Sequence, residues 1–235
     1  MSKKRCWLEW CLLAFAMPAL IAGLTKVVSM SDVGSHLSSV DQQYALSISG
    51  GVAAEWICVA GFWLFLRRRN ERLQDFGVWK LGNWAGWGFA LTFAGLSITS
   101  NLRFLPRMGL PISVAFMPRG SHLLVALALG ITAGFCEEVL FRGILMTDFA
   151  RAGYGKAFQV FIPGVAFGLS HVGYSSHGIL AGIGIMVPTA ILGMLWGIAY
   201  LLGRRGLLPC MLAHFLNDAT ALPWIGFFMF KGALG

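Results

Sequence analysis

Three short groups of polar and ionisable residues interrupt the apolar stretches in the second half of this 235-residue sequence. In chain order they are Glu137, Glu138 and Arg142, then His171, then His214, Asn217 and Asp218. Carboxylates and imidazoles are among the side chains that proteins use as general acids and bases. The three groups could therefore activate water for hydrolysis, although each of them alone could also serve a purely structural purpose.

The first group contains two adjacent acids with different surroundings. Glu138 and Arg142 are spaced i,i+4 with the acid on the N-terminal side, which is the favourable order for an ion pair within a helix. Glu137 points about 100° away on an α-helix of ~3.6 residues per turn, and no basic residue follows it at i+3 or i+4. The spacing predicts that Glu138 is structural and that Glu137 is available as a general base. The alternative is a charged helix end that pairs only for structure.

The other two groups centre on histidines. A single histidine in a membrane segment, such as His171, often serves only as a hydrogen-bond donor between helices. His214 and Asp218 share a helix face at i,i+4, with Asn217 beside them, so the aspartate could simply orient a structural histidine. His171, His214 and Asp218 together with Glu137 also form a His/carboxylate set of the kind that binds zinc. Since the HExxH pattern is absent, no metal ligand is assigned, and zinc stays an open alternative.

The remaining sequence predicts the elements that must position these groups. Hydrophobic residues make up 57% of the chain and charged residues 12%, about half the ~25% charged content of soluble proteins. A membrane crossing needs roughly 20 apolar residues, and apolar runs cover residues 10–25, 44–66, 81–102, 120–149, 157–203 and 206–230. A polar turn at 173–178 divides the fifth run, and Pro223 can break the last. We expect an all-α, polytopic integral membrane helix bundle with seven to eight transmembrane helices.

Positive charge predicts how this bundle is oriented. The chain carries 18 Lys and Arg residues against 10 Asp and Glu, a net charge of +8. Most of the basic residues, including Arg5, Arg69 and Arg151, fall on flanks that lie inside if the N-terminus is cytoplasmic. We therefore expect a multi-pass protein of the cell (inner) membrane with a cytoplasmic N-terminus, and no nucleic-acid partner. Pairs of glycines, Gly130 with Gly134 and Gly193 with Gly197, are expected to let its helices approach closely.

Taken together, the three groups resemble the motifs of one known family. The stretches EEVLFR at 137–142, FGLSH at 167–171 and HFLND at 214–218 are similar, in this order, to the EExxxR, FxxxH and HxxxN/D motifs of the CPBP family. This family comprises CAAX proteases and bacteriocin-processing proteins. The resemblance extends over roughly residues 121–221, and the earlier spans match only in being hydrophobic.

The resemblance implies an activity and a division of the chain. It implies an intramembrane endopeptidase that cleaves membrane-associated or prenylated proteins or peptides within the lipid bilayer, without a cofactor. Residues 121–235 would form the catalytic transmembrane core, preceded by three N-terminal transmembrane helices in residues 1–120.

The resemblance also implies roles for individual residues. The catalytic residues would be Glu137, His171, His214 and Asp218, with Glu138, Arg142 and Asn217 in support. Glu137 with His171 would deprotonate a water molecule, and His214 would stabilise the tetrahedral oxyanion. Family members commonly have Asn at the last motif position, where this chain has Asp218, so either Asn217 or Asp218 could assist the oxyanion.

Other functional classes remain open at this point. A non-catalytic membrane immunity or scaffold protein could keep the same polar cavity for binding. A transporter is a further alternative because intramembrane Glu and His residues also relay protons, and a zinc-dependent protease is another. No motif explains Glu55, an acid within the second apolar run, and the sequence does not identify the substrate.

Overall fold

Apolar runs bounded by polar, glycine or proline residues form the helices of this chain. The computed structural model describes residues 2–30, 36–37, 39–173 and 178–232, and all regular structure within these ranges is helical. The helices are α1 (Lys3–Cys11), α2 (Met17–Ser29), α3 (Val40–Arg67), α4 (Trp84–Leu102), α5 (Ser121–Thr132), α6 (Met146–Arg151), α7 (Lys156–Leu169), α8 (Ile179–Leu202), α9 (Leu208–Ala219) and α10 (Leu222–Gly232). The predicted all-α class is confirmed.

Two π-helical segments join neighbouring helices. Leu12–Ala16 joins α1 to α2, and Ala133–Leu145 joins α5 to α6, so residues 3–29 and 121–151 are each one continuous helix. Polar caps begin two of the other helices. Ser39 Oγ accepts a hydrogen bond from the third residue of α3, and Asn83 Oδ1 does the same for α4. Such caps satisfy backbone N–H groups that have no partner within the helix.

Among the residues that the structure describes, four helical stretches are long and apolar enough to cross a membrane. They are Lys3–Val28, Val40–Arg67, Ser121–Arg151 and Ile179–Leu202. The last apolar run instead forms two short helices, α9 of 12 residues and α10 of 11, and Pro223 is the second residue of α10 as the predicted break requires. The integral membrane bundle is confirmed, whereas the count of seven to eight crossings stays a prediction. The turn predicted at 173–178 stays a prediction, because residues 174–177 lie outside the described residues.

The π-helical segment Ala133–Leu145 lies at the centre of the bundle. It packs against α3, α7, α8 and α9, and all of its residues except Phe135 are buried. Gly134 in this segment and Gly130 on α5 determine how closely α9 approaches. A Cβ atom added to Gly134 would lie 2.8 Å from the Met211 carbonyl oxygen, and one added to Gly130 would lie 3.0 Å from the Phe215 carbonyl oxygen. The predicted close approach at Gly130 and Gly134 is confirmed.

Gly134→Ala should therefore destabilise the protein by about 1–3 kcal/mol, because the added methyl group forces α9 and its histidine away from the π-helical segment. The measurement is the midpoint of thermal unfolding in detergent. Gly95→Ala is the matched control, since nothing lies within 4 Å of a Cβ atom at that position on α4. Equal unfolding midpoints for the two variants would contradict this close packing.

A buried aspartate ties three segments together at one end of the bundle. Asp148 on α6 is fully buried and lies 3.3 Å from an Arg151 nitrogen, 3.6 Å from one of Arg69 and 3.9 Å from one of Arg5. The sequence placed these three arginines on the same side of the membrane, and their convergence on one carboxylate agrees with that. The compartment that this end faces stays a prediction.

Candidate active site

Helices from the second half of the chain bring the predicted residues together. Glu137 and Glu138 lie on the π-helical segment, His171 follows the end of α7, and His214 lies on α9. The second residue of α9 is Pro209. In the first turn of a helix the backbone N–H has no partner within the helix, so the missing N–H of proline costs no hydrogen bond there. The site is therefore formed where the C-terminal end of α7 and the middle of α9 meet the central segment.

His214 is the residue on which the carboxylates converge. Its Nδ1 lies 2.8 Å from Glu138 Oε1, and its Nε2 lies 3.4 Å from Glu137 Oε2 and 3.5 Å from Asp218 Oδ2. The imidazole packs on the Trp196 ring with 4.2 Å between ring centroids. The predicted proximity of His214 and Asp218 is confirmed. The contacts with both glutamates were not predicted.

Glu138 and Arg142 form the predicted ion pair, with 2.9 Å between Nη1 and Oε1. Both side chains are buried, and Arg142 also donates a hydrogen bond to the Gly193 carbonyl and lies over the Phe167 ring. Because the same Glu138 oxygen contacts His214, this acid does more than brace its own helix. The prediction of a purely structural Glu138 was incomplete.

The backbone around the two glutamates departs from the predicted α-helix. Ala133–Leu145 is π-helical, and hydrogen bonds in a π-helix run from i to i+5, so each turn holds more residues than in an α-helix. Adjacent side chains consequently diverge less, and both Glu137 and Glu138 reach His214. The expected 100° separation, which assumed α-helical geometry, was wrong for this segment. π-Helical turns occur frequently at functional sites.

A cavity of about 600 Å³ opens beside these residues. Its lining includes Glu137, His171 and Asp218, which therefore share one space. His171 Nδ1 lies 2.9 Å from the Phe167 carbonyl oxygen, and since a carbonyl can only accept, this nitrogen carries the ring hydrogen. Glu137 also interacts electrostatically with His171 and His214.

Asn217 and Asp218 occupy different positions at the end of α9. Asn217 is 4% exposed, and its Nδ2 donates a hydrogen bond to Asp218 Oδ1 at 2.7 Å. Asp218 lines the cavity, whereas Asn217 is not part of the lining. Of the two candidates for the last motif position, Asp218 is the one that faces the space shared with Glu137.

Residues 119–220 match the family described as Type II CAAX prenyl endopeptidase Rce1-like. Over this segment, which is less than half of the chain, the sequence is similar to that family. The match includes every residue of the three motifs and agrees with the resemblance found in the sequence, while α1–α4 precede it. Neither the curated proteins nor the solved structures gave a match.

Glu55 lies outside the segment that matches the CAAX prenyl endopeptidase family, yet it belongs to the same site. It is on α3, lines the cavity together with Glu137, and interacts electrostatically with Glu137, His214 and Asp218. The signal in the sequence was an acid in the middle of an apolar run, but only the packing of α3 against the central segment shows where it points. Ser170, which lines the cavity beside His171, was not predicted as a site residue.

Whether this site could bind a metal ion depends on how its side chains are arranged. Within residues 2–30, 36–37, 39–173 and 178–232, no group of three or more His, Cys, Asp or Glu residues is arranged to hold a metal ion. His214 contacts three carboxylates through its two nitrogens, which is a hydrogen-bonding arrangement in which the histidine is surrounded by acceptors. Treatment of the purified protein with a zinc chelator distinguishes a zinc-dependent protease from a metal-free one.

Proposed function

We propose that this protein is an intramembrane peptidase that hydrolyses membrane-associated or prenylated proteins or peptides with water activated by Glu137 and His171. One observation carries the proposal. Two carboxylates and an imidazole from three separate parts of the chain, Glu137, Asp218 and His171, line a single cavity within a membrane helix bundle, and the buried His214 contacts both carboxylates.

The first step is activation of water. Glu137 accepts a proton from a water molecule held between its carboxylate and His171. Because His171 Nδ1 donates to the Phe167 carbonyl, Nε2 is the ring nitrogen that would accept the second hydrogen of that water. General-base catalysis of this kind is worth about 10²–10⁴ in rate.

The second step is stabilisation of the tetrahedral intermediate. Both nitrogens of His214 face carboxylates, which is the environment of a doubly protonated imidazole that donates on both sides. Nε2–H adjoins Glu137, so it can donate to the oxyanion that forms when the activated water attacks the scissile carbonyl. One such donor typically contributes roughly 10²–10³ in turnover.

Asp218 holds this donor in place. A carboxylate aimed at the oxyanion would repel it, and the Asn217 amide is already directed toward Asp218. We therefore assign Asp218 to orienting His214 Nε2, with Asn217 fixing the Asp218 carboxylate, and Glu138 with Arg142 fixing the other ring nitrogen.

The reaction closes without a covalent intermediate. Collapse of the tetrahedral intermediate breaks the C–N bond, and Glu137 returns the proton it took from water to the departing amine. The products are a new carboxylic acid and a new amine, which reach their ionised forms by exchanging protons with water, and the enzyme returns to its starting protonation state.

The purified protein in detergent or nanodiscs should cleave a membrane-anchored peptide, and cleavage should persist after treatment with a chelator that strips bound zinc. Mass spectrometry locates the cleaved bond, and peptides with and without a prenyl group test the lipid requirement. Loss of activity on chelation that added zinc restores would assign the enzyme to the metal class. Absence of cleavage with every peptide would favour a binding or scaffold protein of the same fold.

A further inference from the structure

Glu55 is the acid in the cavity that the proposed mechanism does not use. An ionisable group at mid-span costs about 2.5–3.5 kcal/mol on insertion scales, so its presence calls for a function. Its Oε2 atom is buried and has no hydrogen-bond partner among the residues that the structure describes. A buried acceptor left without a donor is unfavourable, which suggests that the missing donor arrives with the substrate.

The charges around Glu55 are dominated by acids. Glu55, Glu137 and Asp218 reach the cavity from three different helical elements. Lys26 also lines the cavity, but the groups that act electrostatically on Glu55 are Glu137, Asp218 and His214. His214 is the only basic group of these three, and it is also in contact with Glu137, Asp218 and Glu138. This end of the cavity therefore presents an excess of negative charge toward any molecule that enters it.

Much of the cavity lining is apolar. Ile21, Val52 and Leu129 line the cavity together with the acid. A long basic side chain has the complementary shape, because its aliphatic stem can lie along apolar surface while its charged head reaches an acid. An apolar or an ionised acidic side chain would leave the Glu55 oxygen unpaired, since neither has a hydrogen to donate.

We infer that Glu55 forms a cation-binding subsite that receives a lysine or arginine side chain of the substrate close to the scissile bond. The inference rests on the proposed peptidase function, since it places the basic residue in the cavity that holds Glu137. Glu55 is thus a specificity-determining residue, which binds a substrate side chain and takes no part in the proton transfers.

The test compares membrane-anchored peptides that differ at one position beside the cleaved bond, which is lysine in one peptide and norleucine in the other. For the wild type, kcat/KM should favour the lysine peptide by about tenfold to a hundredfold, the range for a hydrogen bond to a charged group. In Glu55→Gln this ratio should fall toward one. Glu55→Asp keeps the charge and should retain a preference for lysine.

Asp41→Asn is the matched control, because it removes a carboxylate from the same helix at a position outside the cavity lining. This variant should keep the wild-type ratio. Thermal unfolding in detergent establishes that each variant is folded before its ratio is interpreted.

Two results would overturn the subsite. One is a wild-type enzyme that cleaves both peptides equally well, and the other is a Glu55→Gln variant that slows both peptides by the same factor. Both leave the peptidase proposal standing. If no peptide is cleaved, the proposed function fails, and binding of the two labelled peptides to nanodisc-embedded protein still tests the subsite. Tighter binding of the lysine peptide, lost in Glu55→Gln, supports it, and equal binding overturns it.

Discussion

Glu137→Gln should lower kcat for hydrolysis of a membrane-anchored peptide by about 10²–10⁴-fold, the contribution of a general base. Glutamine has nearly the same shape as glutamate and can still contact the imidazole of His214, but its amide cannot accept a proton from water. KM should change little, because the substitution removes an interaction that operates in the transition state. The measurement is the set of initial rates over a range of peptide concentrations.

Asp41→Asn again supplies the control, since it makes the same kind of carboxyl-to-amide change away from the cavity. It should retain wild-type kcat. The two variants and the wild type should also unfold at similar temperatures in detergent, which separates loss of chemistry from loss of structure. A Glu137→Gln enzyme that turns over at the wild-type rate would show that another group is the base.

Arg142→Met should destabilise the protein by about 3–5 kcal/mol, the usual cost of removing one partner of a buried ion pair. Arg142 is 1% exposed and Glu138 is fully buried, so the substitution leaves a buried carboxylate with only His214 to offset its charge. It also removes the hydrogen bond donated to the Gly193 carbonyl on α8. The free energy of unfolding in detergent measures the effect.

The double variant Glu138→Gln/Arg142→Met should recover part of this loss, because no unpaired charge then remains. Recovery should be incomplete, since Glu138 also contacts His214 and Gly193 still lacks its donor. Arg103→Met is the control for loss of an arginine, as Arg103 is exposed at the end of α4. If Arg142→Met and Arg103→Met are equally stable, the buried pair does not contribute as proposed.

The features that could be predicted from the sequence are those that depend on local geometry. The Glu138–Arg142 pair and the proximity of His214 and Asp218 follow from i,i+4 spacing within a single helical segment, and both are present. Helix existence likewise follows from the apolar runs, and the break at Pro223 follows from the missing backbone donor.

Features that depend on packing between distant segments could not be predicted in this way. Glu138 and His214 are 76 residues apart, and no periodicity in either helix indicates their contact. The position of Glu55 at the cavity likewise depends on where α3 packs. The π-helical turn was missed for a related reason, since the same apolar pattern is compatible with i+4 and i+5 hydrogen bonding and the surrounding helices select between them.

The enclosure of His214 also limits how its ring can move. Rotation of the imidazole about its Cβ–Cγ bond would pull Nδ1 away from Glu138 and Nε2 away from Glu137 and Asp218, while the Trp196 ring covers one face. Histidines that carry protons between partners often rely on such rotation or on exchange of the ring hydrogen between nitrogens. His214 is instead held in one orientation as a hydrogen-bond donor, and in the proposed mechanism the proton is carried by the carboxylate of Glu137.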